Sequence, residues 1–173
     1  MTLPMPSVRS SVHRVLAIVP HSKGFGFAVY ERIRAPLDWG IKRVHGPKNT
    51  VSIAKAEALI EQYQPDRLLV EDVDGSSRCR RVRRLIAALV ALAGRKGVAV
   101  ALISEQEIDL VFRKHGARRK HDIAAHIAKK TPALRPRLPS PRKPWQSEDY
   151  RITIFVAAAM AWVWLLNERR RAA

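Results

Sequence analysis

The chain has a single cysteine, Cys79, among its 173 residues. No intrachain disulfide can form, so the reducing cytoplasm is the simplest compartment for it. The histidines are few and scattered, without the Cys/His spacing of a zinc site, so structural zinc is not expected. Long apolar runs are also absent: the longest, from Ile152 to Leu166, is shorter than the roughly 20 residues that span a bilayer. We therefore predict that this run is a buried helix and that the protein does not enter a membrane.

Acidic residues are scarce. Asp and Glu number 15 against 32 Lys and Arg, which leaves a net charge of +17. Self-repulsion of this size indicates a polyanionic partner, and nucleic acid is the commonest one. An anionic membrane surface is the competing interpretation. With nucleic acid favoured, we expect a cytoplasmic, nucleoid-associated protein.

The apolar periodicity predicts three strands, a helix, a strand, a helix, a strand and then further helices. The long helix between the last two strands is expected to begin at Ser76 or Ser77, and the final helix at about Ser147. The proline-rich link from Thr131 to Pro144 is expected to lack regular structure. This order predicts an α/β fold, a mixed five-stranded sheet in which a three-strand antiparallel meander joins parallel strands, flanked by helices. We expect one domain over residues 14–171 behind a flexible tail, residues 1–13.

Three short sequence segments lie on strands and a helix of this predicted fold. They are Leu16-Ala17-Ile18 followed by Gly24-Phe25-Gly26-Phe27-Ala28-Val29, then Leu69-Val70-Glu71-Asp72, and Ile154-Phe155 leading into an Ala-rich helix. Over about residues 14 to 166 the chain resembles the RuvC-type Holliday junction resolvases of the ribonuclease H-like fold. The resemblance implies binding of branched DNA by a homodimer and endonucleolytic cleavage of crossover junctions with Mg²⁺ or Mn²⁺.

In that family four acids form a two-metal cluster: an Asp ends the first strand, a Glu ends the fourth, and two acids lie on the last helix. Glu71 matches the fourth-strand Glu. Val19 stands where the first-strand Asp is expected, and Thr153 and Val156 stand at the two helical positions. Because valine cannot bind a metal ion and Mg²⁺ requires oxygen ligands, this departure predicts impaired cleavage.

Other acids could form a shifted site. Asp72 follows Glu71, and on the predicted final helix Glu148 and Asp149 lie just before Thr153. Spacings of four and three would put Asp149, Thr153 and Val156 on one helix face, so Glu71 and Asp149 are the candidate metal ligands. The alternative interpretation is that Glu148 and Asp149 only complement the positive end of the helix dipole.

Three basic clusters are expected to contact backbone phosphate. The first surrounds the predicted start of the long helix, the second occupies a loop around Gly116, and the third lies in the proline-rich link beside Trp145. Their members are Arg78, Arg80, Arg81 and Arg84; Lys114, Arg118, Arg119 and Lys120; and Arg142 and Lys143. For Trp145, covering the core is the favoured role, and stacking on a base or an arginine is the alternative.

The sequence therefore favours structure-selective binding of branched DNA with impaired cleavage. One alternative is an active nuclease that uses the shifted acids Glu71, Asp72, Glu148 and Asp149. A second alternative is a non-catalytic RNA-binding or assembly protein.

Overall fold

The computed structural model describes residues 13–173, so nearly all of the predicted N-terminal tail lies outside the described residues. The sheet has five strands in the spatial order β3-β2-β1-β4-β5. They are β1 Val15–His21, β2 Gly24–Arg32, β3 Ala35–Arg43, β4 Arg67–Glu71 and β5 Ala99–Ile103. The first three strands form an antiparallel meander, and β4 and β5 run parallel to β1. The predicted mixed α/β sheet is confirmed.

Helices cover both faces of this sheet. They are α1 Lys48–Tyr63, α2 Arg80–Arg95, α3 Glu105–Arg113, α4 Lys120–Lys130 and α5 Ile152–Ala172. Helices α1 and α2 close one apolar core, and α3, α4 and α5 close the other. Because side chains alternate along a strand, β1 contributes Val15, Ala17 and Val19 to the α5 side and Leu16 and Ile18 to the α2 side.

Helix α5 carries the apolar run that the sequence analysis assigned to the core. By length and composition alone it could cross a membrane, but 72% of its most apolar window is buried inside the protein. It packs on β1 and β2 and contacts α4. The burial agrees with the prediction of a core helix.

Two predicted helix starts and one predicted irregular segment were wrong. Helix α2 begins at Arg80 rather than at Ser76 or Ser77, and its N-cap, Cys79, makes no side-chain capping bond. Helix α5 begins at Ile152 rather than near Ser147, so the preceding acids lie in the loop before it. Within the link expected to be irregular, Pro132–Arg137 forms a short 3₁₀ helix. Its two turns are closed by the Leu134 N–H to the Thr131 carbonyl and the Leu138 N–H to the Arg135 carbonyl. Pro132 and Pro136 each take the first central position of a turn, where the fixed φ of proline is favoured.

Candidate functional site at the strand ends

The ends of β1 and β4 and the start of α5 meet at one edge of the sheet. Val19 lies there with only 2% of its surface exposed and pairs with Gly26 of β2. Gly26 lets α5 approach closely: a Cβ at this position would lie 2.2 Å from the Thr153 Oγ1 atom. The Thr153 hydroxyl donates to the Tyr150 carbonyl at 2.6 Å. Val19 and Thr153 are thus packed as core at positions where the resemblance expects carboxylates.

Glu71, at the end of β4, is engaged by an arginine. The Arg78 guanidinium donates to both carboxylate oxygens of Glu71, at 2.7 and 3.1 Å, and also to the Pro20 carbonyl of β1 at 2.8 Å. The side chains of Glu71 and Arg78 are only 19% and 31% exposed. A fork-shaped guanidinium matches a carboxylate in this bidentate way, and the hydrogen bonds are charge-assisted. Arg78 therefore satisfies the one acid that matches the expected cluster.

The other three candidate acids each have their own partner. Asp72 accepts a bond from the Asp74 backbone N–H at 3.1 Å. Glu148 pairs with Lys120 at 3.2 Å. Asp149 pairs with Arg151 at 2.6 Å, and the hydrogen bond from that guanidinium holds the pKa of Asp149 below its ordinary value.

These carboxylates do not converge. Asp149 precedes α5, so the helix face expected to carry Asp149, Thr153 and Val156 together does not exist. Val156, on α5, is half-buried against the apolar core and lines a small cleft between α3, α4 and α5. Within residues 13–173 no group of three or more His, Cys, Asp or Glu side chains could hold a metal ion. The donors at the strand ends, where Glu71 is already bound to arginine, do not fit the two-metal centre that the resemblance implies.

His21, at the end of β1, is a member of this region that the sequence analysis did not single out. Its ring stacks on Tyr150 with centroids 5.2 Å apart, and its Nδ1 accepts a bond from the Lys23 backbone N–H at 3.0 Å. Burial, followed by the charges of Arg81, Arg43 and Arg78, lowers the pKa of His21 to about 4. The only signal in the sequence was its place directly after a strand, which does not by itself indicate a function.

The first basic cluster divides into two parts. Arg78 and Arg81 are tied to the protein, since Arg81 donates to the His21 carbonyl at 3.3 Å and to the Asn49 side chain at 3.4 Å. Arg80 and Arg84 are exposed on the first turns of α2, and neither forms an ion pair with a carboxylate of the described residues. The exposed pair therefore remains available for an external anion.

The second and third clusters are mostly solvent-facing. Lys114, Arg118 and Arg119 are exposed around the loop between α3 and α4, and Lys120 is the member that pairs with Glu148. Arg142 and Lys143 are exposed in the proline-rich link.

Trp145 does not cover the core. It is 78% exposed, and the Lys143 ammonium lies 5.5 Å from the centre of its ring. The favoured core role was therefore wrong: Trp145 lies in a turn closed by the Gln146 N–H and the Lys143 carbonyl and faces solvent.

Comparisons with known proteins identify the architecture. No protein-family model and no curated protein matches the chain. Among solved structures, it is similar to Thermus thermophilus RuvC in complex with a Holliday junction substrate, with 14% identity, a TM-score of 0.64 and coverage of 90% of this chain and 96% of that one. A second Thermus thermophilus RuvC structure gives 16% identity, a TM-score of 0.64 and coverage of 91% and 96%. The yeast mitochondrial Holliday junction resolvase Ydc2 gives 17% identity, a TM-score of 0.57 and coverage of 93% and 83%. The chain has the RuvC-like fold.

Proposed function

We propose that this chain binds branched DNA of the Holliday junction type and does not cleave it by two-metal chemistry. The structural neighbours are Holliday junction resolvases, and one of them was solved with a junction bound. The net charge of +17 supports a polyanionic ligand, since neutralising phosphates releases counterions from the DNA. A four-way junction has two-fold symmetry, which favours a homodimer as the binding unit.

One observation carries the loss of cleavage: the bidentate ion pair between Glu71 and Arg78. A two-metal site needs several free carboxylates around ions about 3.5 to 4 Å apart. Here Arg78 occupies both oxygens of Glu71, and Val19 supplies no ligand beside it. The guanidinium keeps a positive charge beside this carboxylate. Unlike a metal ion, it cannot coordinate a water molecule and activate it.

The binding test compares a four-way DNA junction, a linear duplex of equal length and a structured RNA by fluorescence anisotropy. We expect the junction to bind tightest, with affinity falling about 10³-fold or more between 50 and 200 mM salt if six or more phosphates are contacted. Alanine at both Arg80 and Arg84 removes two exposed cations from the first turns of α2. This change should weaken binding to every DNA ligand and lower the salt slope by about two phosphate equivalents.

A matched control has the same change in net charge at another place. Arg169 and Arg170 are exposed near the end of α5, and alanine at both should leave the salt slope closer to that of the unmodified chain. Equal effects of the two double variants would show that charge alone, not the α2 surface, drives binding.

The cleavage test incubates the junction with Mg²⁺ and, separately, with Mn²⁺. We expect intact strands in both. Cleavage by the unmodified chain that Asp149→Asn abolishes would favour the shifted-acid nuclease instead. Preference for structured RNA over the junction would favour the RNA-binding alternative.

A further inference from the structure

Trp145 stands at the tip of a tight turn. The Gln146 backbone N–H donates to the Lys143 carbonyl at 3.0 Å, which closes a four-residue turn with Pro144 and Trp145 at its centre. Proline is favoured at the first central position of such a turn because its φ is already fixed. A tryptophan side chain that is 78% exposed is therefore presented by a stiff backbone rather than by a free loop.

Further contacts hold this turn in place. The Gln146 side-chain oxygen accepts a bond from the Lys143 backbone N–H at 3.1 Å. Upstream, the His121 ring of α4 is 3.0 Å from the Pro139 carbonyl. The link also contains Pro141, which restricts the chain between these two anchors. A group that is held before binding loses little conformational entropy when a ligand arrives.

Beside Trp145 lies a cleft of about 1000 Å³, bounded by the start of α4, the proline-rich link and the loop before α5. This volume is at the upper end of the range of small-molecule sites. Two of the three acids in its wall are paired with cations, Glu148 with Lys120 and Asp149 with Arg151. The Asp122 carboxylate accepts a backbone bond at the start of α4.

The cations around the ring are not matched. Arg142 lines the cleft, and the Lys143 ammonium lies 5.5 Å from the centre of the Trp145 ring. Neither cation forms an ion pair with a carboxylate in the part of the chain that the structure describes. The cleft therefore combines a flat aromatic face, space for a ring and an excess of positive charge. An apolar ligand would form no ion pair with these cations, and an acidic peptide would not stack on the tryptophan ring.

We propose that this cleft accepts an unpaired nucleotide of DNA, with the base stacked on Trp145 and the adjoining phosphates on Arg142 and Lys143. Aromatic side chains beside a basic groove are how single strands are bound without sequence preference, because every base has a π-face. The inference rests on the proposed function in taking DNA as the ligand, and it specifies which part of that DNA enters the cleft. A branch point, gap or frayed end supplies such a nucleotide, whereas a blunt duplex does not.

The test measures binding of the full chain to fluorescein-labelled dT₁₂ and to a labelled blunt duplex. We expect Trp145→Ala to weaken dT₁₂ binding by about 5-fold to 150-fold, the range that corresponds to loss of one stacked base. Duplex affinity should change less than about twofold. Trp145→Phe, which keeps an aromatic face, should restore most of the dT₁₂ affinity.

Salt dependence separates stacking from charge. Trp145→Ala should leave the slope of dT₁₂ affinity against salt unchanged, because no phosphate contact is removed. Alanine at both Arg142 and Lys143 should lower that slope by about 0.7 for each phosphate released. A thermal melt of each variant establishes that the exposed substitutions leave the fold intact.

Three results would overturn the inference. The first is unchanged dT₁₂ binding by Trp145→Ala, and the second is an equal loss for dT₁₂ and the duplex. The third is displacement of dT₁₂ by polyglutamate or inorganic polyphosphate as effectively as by unlabelled dT₁₂, since neither competitor has a base. If the junction is bound no better than the duplex while dT₁₂ binding depends on Trp145, the proposed junction preference fails and the nucleotide cleft stands.

Discussion

Glu71→Gln is the substitution that best separates a metal ligand from a structural carboxylate. In the structure this side chain accepts two charge-assisted hydrogen bonds from Arg78. The amide of glutamine can accept only through its single oxygen, and it carries no charge. We therefore expect the substitution to lower the free energy of unfolding and to have no effect on junction cleavage, since none is expected in the unmodified chain.

The size of the loss follows from the geometry. A hydrogen bond to a charged group contributes about 1.5 to 3 kcal/mol, and the pair is largely shielded from solvent at 19% and 31% exposure. For a domain of this size each kcal/mol shifts the melting temperature by about 2 to 4 °C. The expected drop in Tm is therefore about 3 to 12 °C, measured by circular dichroism at neutral pH.

Glu148→Gln is the matched control. The same chemical change removes an ion pair with Lys120 that is 3.2 Å long and about half exposed on both sides. Surface pairs of this kind contribute about 0 to 1 kcal/mol. The control should therefore melt within about 4 °C of the unmodified chain.

Divalent metal supplies the refuting result. If Glu71 is a metal ligand, Mg²⁺ or Mn²⁺ will raise the Tm of the unmodified chain and fail to raise that of Glu71→Gln. A metal-dependent Tm of this kind, or a Glu71→Gln variant as stable as the control, would contradict the structural role.

Three further predictions concern the same edge of the sheet. Val19→Asp alone should bind no Mn²⁺, whereas Val19→Asp combined with Arg78→Met should show a Tm that rises with Mn²⁺, because only the second variant frees the Glu71 carboxylate beside the new aspartate. Gly26→Ala should lower the free energy of unfolding by about 1 to 3 kcal/mol in chemical denaturation, because its Cβ would lie 2.2 Å from a side-chain oxygen of α5. The control is Gly94→Ala, in open space on α2, which should raise the free energy of unfolding by up to about 1 kcal/mol. The pKa of His21 is lowered to about 4, so folding favours its neutral form. Its contribution to stability is complete above pH 6.5 and is lost as the pH falls towards 4. His21→Gln should therefore make Tm depend less on pH between 6.5 and 4.

The fold was predictable because its signals are local and repeated. Val15 to Val19 is continuously apolar, as suits a strand buried on both faces, and the run from Ile152 is apolar on all sides, as suits a helix enclosed by other elements. Helix starts were less predictable. Ser76 and Ser77 are good capping residues, yet the chain continues in a loop past them because Arg78 turns back to reach Glu71 and the Pro20 carbonyl.

For the site, the sequence predicted which metal ligands are missing and not which contacts replace them. The sequence showed that Val19 could not bind a metal, but it did not show which group would satisfy Glu71. That depends on a side chain seven residues later folding back across two strands, a tertiary contact with no periodic signature. The exposure of Trp145 was missed for a similar reason, since composition indicates that tryptophan is mostly buried while a proline turn decides otherwise at this position.

The contact from Arg78 to the Pro20 carbonyl has an evolutionary consequence. An aspartate introduced at Val19 alone would be a buried charge next to an arginine already committed to Glu71 and to the backbone. Loss of Arg78 alone would leave Glu71 without its cation. Each single change gives a less stable protein, so mutations that would build a metal centre here must occur together or follow stabilising ones. The ion pair thus holds the present arrangement of the strand ends against single substitutions at Val19 or Arg78.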